Sequence, residues 1–289
     1  MFLKKLITNF LIFVFIHATM FADQYTPMQV LAYHFNSAIQ WNTAMRALHD
    51  HPLLGNENVL HLGCKDGKIS AHLADQLPEG NVLGIDPSTN MIAFAKAWFP
   101  SNQHVNLCFE VNDAARMNYD QKFDTIFSFS TLYSNKEHKQ CAKKIYSSLK
   151  FGEKAVITEP QMSENDHFGL FIKLISSERW CPFFADYLNK HVLLEAPTLE
   201  RLLRTAGFTV VNVQMRKNET NFDTVDDFRD WLWPQLNFSS DEDRHAFLDE
   251  YIALVIEQFP PDADGKITVF TRNLQAVANK ILFDDRTID

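Results

Sequence analysis

Between Asn58 and Ala74 the chain reads Asn-Val-Leu-His-Leu-Gly-Cys-Lys-Asp-Gly-Lys-Ile-Ser-Ala-His-Leu-Ala. A short apolar run leads into a loop holding Gly63 and Gly67, and a helical pattern follows. About twenty residues further on, the spacing at which a ribose-binding acid is expected, Val82-Leu83-Gly84-Ile85-Asp86-Pro87-Ser88 makes a second apolar run that ends in an acid. Glycine lets backbone approach a ligand closely, and a carboxylate closing the second strand can accept hydrogen bonds from both ribose hydroxyls. Together they spell a nucleoside-binding βαβ unit. A dinucleotide would need G-x-G-x-x-G at the helix start to cradle its pyrophosphate. The loop Gly63-Cys64-Lys65-Asp66-Gly67 lacks that pattern.

The loop instead resembles motif I of the class I S-adenosylmethionine-dependent methyltransferases, an acid, x, Gly, x, Gly, x, Gly after the first strand. Further matches follow in order. Asp86 with Pro87, Ser88, Asn90, Met91, Ile92 and Ala95 is similar to the second motif, whose acid holds the ribose while the Met packs on the adenine. Val105 to Ala114 resembles strand 3 with its Asp-Ala ending, where Asp113 would accept the adenine amino group. Phe123 to Ser128 looks like strand 4, Leu149 to Glu153 like the turn before strand 5, and Ala206-Gly207-Phe208 like the turn before strand 6. A narrower likeness, to the trans-aconitate and juvenile-hormone-acid methyltransferases, rests on Tyr33-x-x-Asn36-Ser37-x-x-Gln40-Trp41. Helical spacing puts Tyr33, Asn36, Ser37 and Gln40 in one polar stripe, which suits a lid over a polar ligand or a solvated amphipathic face.

The resemblance implies a doubly wound α/β fold, a seven-stranded, mostly parallel sheet with helical cap insertions. It implies S-adenosylmethionine as cofactor, held by Tyr33, Asn36, Gln40, Trp41, Gly63, Cys64, Asp66, Gly67, Asp86, Met91, Asn112, Asp113 and Ala114. The chain divides into a hydrophobic segment, 1–22, and a methyltransferase domain, 23–289. Within the latter we expect a lid helix over 26–50, a cofactor-binding core over 57–160, a helical cap over 161–195, and C-terminal strands with a helical insertion over 196–289. The acceptor would be a small molecule, plausibly a carboxylate; Tyr133, Arg179 and Trp180 are candidate donors for it, although an Arg beside a Trp also suits a surface cation packed on a ring.

Composition bounds the alternatives. A chain of 289 residues, 46% hydrophobic, can bury one large core or a core plus a cap. A net charge of −9 argues against a nucleic-acid partner, and Lys139, Lys143 and Lys144 read as a solvated helix face. Cys64, Cys108, Cys141 and Cys181 form no C-x-x-C pair, so no metal site is expected. Cys108, inside an apolar strand, should be buried, and Cys64, in the loop, partly exposed. Lys4 and Lys5 precede an uncharged apolar stretch, residues 6–22, with Ala22 before Asp23. That is the shape of a secretory signal or a membrane anchor, unless Met20 or Met28 is the true start and the protein is cytoplasmic.

Three departures from the family pattern stand out. His61 replaces the acid at the end of strand 1, Lys65 the middle glycine, and Tyr133-Ser134 a His-Trp pair. Lys65 could pair with the methionyl carboxylate or collide with the cofactor, in which case the fold would be a degenerate binding module. Tyr146-x-x-x-Lys150, with Ser134 upstream, also resembles the catalytic pair of short-chain dehydrogenases, but Ile69 stands at that family's last loop glycine.

Overall fold

A computed structural model describes residues 25–281 apart from Asn165 and Asn237. The apolar stretch at 6–22 lies outside the described residues. Among those described, no helix is long and apolar enough to cross a membrane.

Five strands form the parallel part of one sheet: β1 (Asn58–Leu62), β2 (Asn81–Asp86), β3 (Leu107–Val111), β4 (Phe123–Phe129) and β5 (Leu149–Gln161). Two further strands, β6 (Val210–Phe222) and β7 (Ile267–Asn279), complete it in the order β3-β2-β1-β4-β5-β7-β6, with β7 antiparallel to both neighbours. Apolar runs suit strands covered on both faces. One face is closed by α5 (His138–Ser148) and α8 (Ala196–Ala206), which bury Ile145, Leu199 and Leu203 against Leu60, Ile126 and Ile157. The other is closed by α2 (Ala38–Asp50), α3 (Lys68–Asp75) and α4 (Thr89–Trp98), which pack Ala44, Leu73 and Ile92 on Val59, Phe127 and Val156. This is the doubly wound α/β architecture expected from the sequence.

Residues 26–50 form two helices where one was expected. The first, α1 (Pro27–Phe35), opens on a Thr26/Gln29 capping box with Pro27 at its first position. It ends at Asn36, whose side-chain amide donates to the Ala32 carbonyl at 3.1 Å. Asn and Ser side chains compete for helix backbone groups, so Asn36-Ser37 breaks the run. Lys68 Nζ, reaching over from α3, donates to the freed His34 carbonyl at 2.9 Å and to Ser37 Oγ at 3.4 Å.

A separate cluster holds the aromatic helices together: α6 (His167–Ile175) and α7 (Cys181–Lys190) after β5, and α9 (Val225–Leu232) and α10 (Asp241–Gln258) between β6 and β7. Phe171, Trp180, Phe184, Phe247 and Tyr251 pack there edge to face. Leu149 to Glu153, expected as a turn, is the irregular start of β5: Leu149 pairs with Phe123, the register then shifts, and Gly152 has φ 90°.

Candidate cofactor site

The glycine turn after β1, Asp86 at the end of β2 and Asp113 just past β3 meet at the C-terminal edge of the parallel strands, where open α/β sheets bind ligands. After β1 the backbone is left-handed at Gly63 (φ 66°), Lys65 (φ 49°) and Gly67 (φ 82°). A side chain at Gly63 would run into Thr131, and one at Gly67 would come within 2.7 Å of the Phe109 ring. The turn therefore demands glycine at its first and last positions, while at its middle Lys65 occupies a conformation that L-residues adopt at a cost.

Asp86 closes β2 and is buried. Its Oδ2 accepts from the Lys65 amide at 3.1 Å and its Oδ1 from the Ser88 amide at 2.9 Å. This geometry ties the loop to β2 and sets a carboxylate, the acceptor type that ribose hydroxyls need, beside the glycine turn. The Asn112 amide donates to the Asp86 carbonyl at 3.1 Å, placing Asp113 just past β3 beside Asp86. Asp113 Oδ1 accepts from the Ala115 amide at 2.7 Å, and its Oδ2 pairs with Arg116 at 3.2 Å.

Tyr33 and Gln40 from the broken helix pair face His61, Lys65 and Ser130 across a cavity of about 20 Å³, which Gly63, Cys64 and Asp66 also line. That is room for about one water. Burial pushes the Tyr33 hydroxyl and the Cys64 thiol well above their ordinary pKa values, with Asp66 and Asp86 adding to both shifts. Asp66 Oδ2 lies 2.6 Å from His34 Nδ1 in a buried pair. Burial, helped by Lys65, lowers His61 to about 3, so its imidazole is neutral. A wider depression of about 500 Å³ along Pro197, Glu200 and Arg204 is an open helix face bearing an i,i+4 ion pair.

Not every expected residue faces this cavity. Met91 is fully buried with Val30, Tyr33 and Phe94 beneath α1. Ala114 belongs to the sheet core. Asn36 caps α1, and Trp41 packs its ring on His72 of α3. Tyr133 packs its ring at a tilt on His191, 4.9 Å between centroids, and burial, with Glu159 nearby, raises it to about 12. Arg179 and Trp180 both bond Glu250, at 3.0 and 2.8 Å, the Arg lying over the Trp ring. Trp180 is an interior residue of the cap, so neither lines the cavity. The two cysteine expectations are reversed: Cys64 is buried and Cys108 exposed. β3 is the sheet's edge strand with alternating burial, so its Cys108 face is uncovered. Tyr146 packs on Phe208 and Lys150 pairs with Asp124 at 2.7 Å, apart from the cavity and unlike a catalytic pair.

Glu159, which sequence reasoning missed, is fully buried at the end of β5. It accepts the amides of Leu132 at 2.9 Å and Tyr133 at 2.8 Å, and burial lifts it to about 7 against the pull of those bonds. It holds the loop after β4 against the site. No sequence motif singles it out; the signal in the sequence was an acid directly after the apolar run Ala155-Val156-Ile157 and Thr158. Among the described residues no cluster of His, Cys, Asp or Glu could hold a metal ion.

Residues 53–194 match the family model described as a methyltransferase domain. The chain belongs to the class I S-adenosylmethionine-dependent methyltransferases. It is an enzyme of that class, with S-adenosylmethionine as its cofactor. It is 28% identical over 228 residues to a methyltransferase of Invertebrate iridescent virus 6, covering 77% of this chain and 83% of that one. It is 24% identical to trans-aconitate 2-methyltransferase of Rhizobium rhizogenes, over 79% and 90% of the two chains. Its fold resembles that of Haemonchus contortus phosphoethanolamine N-methyltransferase 2 bound to S-adenosylmethionine, with TM-score 0.61, 20% identity, and coverage of 90% and 58%. The residues of this methyltransferase fit the cofactor: the glycine cradle admits close backbone approach, Asp86 is placed for a ribose, and the buried Nε2 of His61 has no partner.

Proposed function

We propose that this enzyme methylates a small carboxylic acid, releasing a methyl ester. When bound, S-adenosylmethionine supplies a methyl group on a positively charged sulfur, already a good electrophile, so the protein's work is placement and exclusion of water. The observation that carries the reading is that no described cavity residue stands ready as a base: the one lining carboxylate, Asp66, is already engaged with His34 at 2.6 Å. Imidazole at about 3 is a poor proton acceptor, and Tyr33 and Cys64 are pushed up and stay protonated. An amine or alcohol acceptor would have to lose a proton, whereas a carboxylate is ionised at neutral pH.

Gln40, Thr43 and Ser130 supply polar groups at the cavity wall. Gln40 accepts from Trp231 Nε1 at 3.1 Å, which couples the acceptor side to the aromatic cap. Similarity to an enzyme named for trans-aconitate supports a carboxylate; the phosphoethanolamine N-methyltransferase likeness is the reason to test amines beside it.

Residues 23–289 incubated with S-adenosylmethionine and small acids, beginning with trans-aconitate, should yield base-labile methyl esters. Transfer confined to amines, beginning with phosphoethanolamine, would overturn the carboxylate reading.

A further inference from the structure

Two residues of the cavity are unusual for a cofactor cradle: a cation in the left-handed middle of the glycine turn, and a histidine at the end of the first strand. Lys65 Nζ rests 4.9 Å from the centroid of the Tyr33 ring. The two nearby acids are otherwise engaged, Asp66 with His34 and Asp86 with two backbone amides. Among the described residues the Lys65 ammonium has no carboxylate at ion-pair distance. Burial lowers its pKa, with Asp86 and Asp66 opposing that shift. His61 is 1% exposed; its Nδ1 meets Ser70 Oγ at 2.7 Å, and its Nε2 is buried without a partner on the cavity wall. An orphaned buried ring nitrogen beside a half-buried ammonium with no carboxylate partner is costly unless a ligand completes both.

We propose that Lys65 and His61 grip the amino-acid tail of the bound nucleoside, Lys65 pairing with its carboxylate and His61 Nε2 accepting from its ammonium. With Nδ1–H donated to Ser70, the neutral ring presents Nε2 as an acceptor, the role an acid would otherwise play there. The tail carboxylate draws Lys65 off the Tyr33 ring, and that movement opens the small cavity. The site therefore selects for the tail's carboxylate, since a ligand without it leaves the ammonium of Lys65 unpaired. This rests on the cofactor site at Asp86.

Titration calorimetry with three ligands tests it: S-adenosylhomocysteine, its decarboxylated analogue, and 5′-methylthioadenosine, which has no amino-acid tail. On the natural chain the decarboxylated analogue should bind about tenfold to a hundredfold more weakly than S-adenosylhomocysteine, the range of a charged hydrogen bond. Lys65→Met should weaken S-adenosylhomocysteine by a similar factor and leave 5′-methylthioadenosine unchanged, which also shows that the variant is folded. His61→Leu should weaken both amine-bearing ligands alike. Equal affinity of the natural chain for the acid and its decarboxylated analogue overturns the inference, even if Lys65→Met fails to fold. Tighter S-adenosylhomocysteine binding by Lys65→Met overturns it too and makes Lys65 an obstruction. If none of the three ligands binds the natural chain, the cofactor site at Asp86 itself is wrong and the inference falls with it.

Discussion

The glycine turn sets backbone conformation against side-chain chemistry at a single residue. At φ 49°, Lys65 carries the strain that a middle glycine would relieve. That strain is worth about 1–2 kcal/mol, partly offset by glycine's larger unfolded-state entropy. Lys65→Gly should thus leave the protein as stable or up to about 1 kcal/mol more stable, by urea titration, yet bind S-adenosylhomocysteine more weakly. A less stable variant would show that the Tyr33 contact outweighs the strain. Asp86 behaves oppositely, because both its oxygens hold backbone amides. Asp86→Asn keeps one acceptor and turns a donor on the other amide, so it should cost about 1–3 kcal/mol of stability. Ribose binding should fall at least about tenfold, read by calorimetry at a temperature where the variant stays folded; undiminished affinity would remove Asp86 from the site.

The helices and strands show what a sequence exposes and what it conceals. The turn at 63–67 and the acid at 86 were legible because their chemistry is fixed by local backbone needs, and the parallel strands because burial on both faces writes continuous apolar runs. The break between α1 and α2 was concealed: Tyr33, Asn36, Ser37 and Gln40 keep helical spacing across it, and the compensation for the broken turn comes from Lys68, far along the chain. Trp180 was misread as a pocket residue for a related reason, since an aromatic in a cap reads the same whether it meets a ligand or the rings of Phe183, Phe238 and Phe247. Cys108 was misplaced because an edge strand cannot be told from a central one by composition. Lys68 makes the helix break testable. Lys68→Met removes the donor to the His34 carbonyl, so hydrogen exchange over residues 27–50 should rise by about fivefold to tenfold, the effect of roughly 1 kcal/mol of local stability. Exchange in α5 and α8, on the far face of the sheet, should stay unchanged; a uniform rise would mean that α1 and α2 open only with the whole domain.

On the scale of the whole molecule, buried titratable groups in two different cores set how the fold responds to acid. His61 sits at the end of β1 and His167 at the start of α6 in the cap, and burial lowers both to about 3. Unfolded, each takes its proton near 6.5. Folded protein thus binds fewer protons than unfolded protein between about 3 and 6.5, and stability, fully present above that window, is lost as pH falls through it. Each histidine contributes a slope of up to about 1.4 kcal/mol per pH unit. Glu159 works against them: raised to about 7, it gives the folded state extra protons between its ordinary value and 7, so stability falls as pH rises there. The two senses partly cancel from about pH 6.5 down to 4.5, and below that Glu159 no longer opposes the histidines. Urea midpoints should therefore fall gently from pH 6.5 to 4.5 and steeply beneath. Glu159→Gln removes the opposing slope and should steepen the upper limb, while His167→Leu should shallow both. A midpoint that holds level down to pH 4 would mean that neither imidazole is sealed from water, and the closed cavity around His61 would have to open in solution.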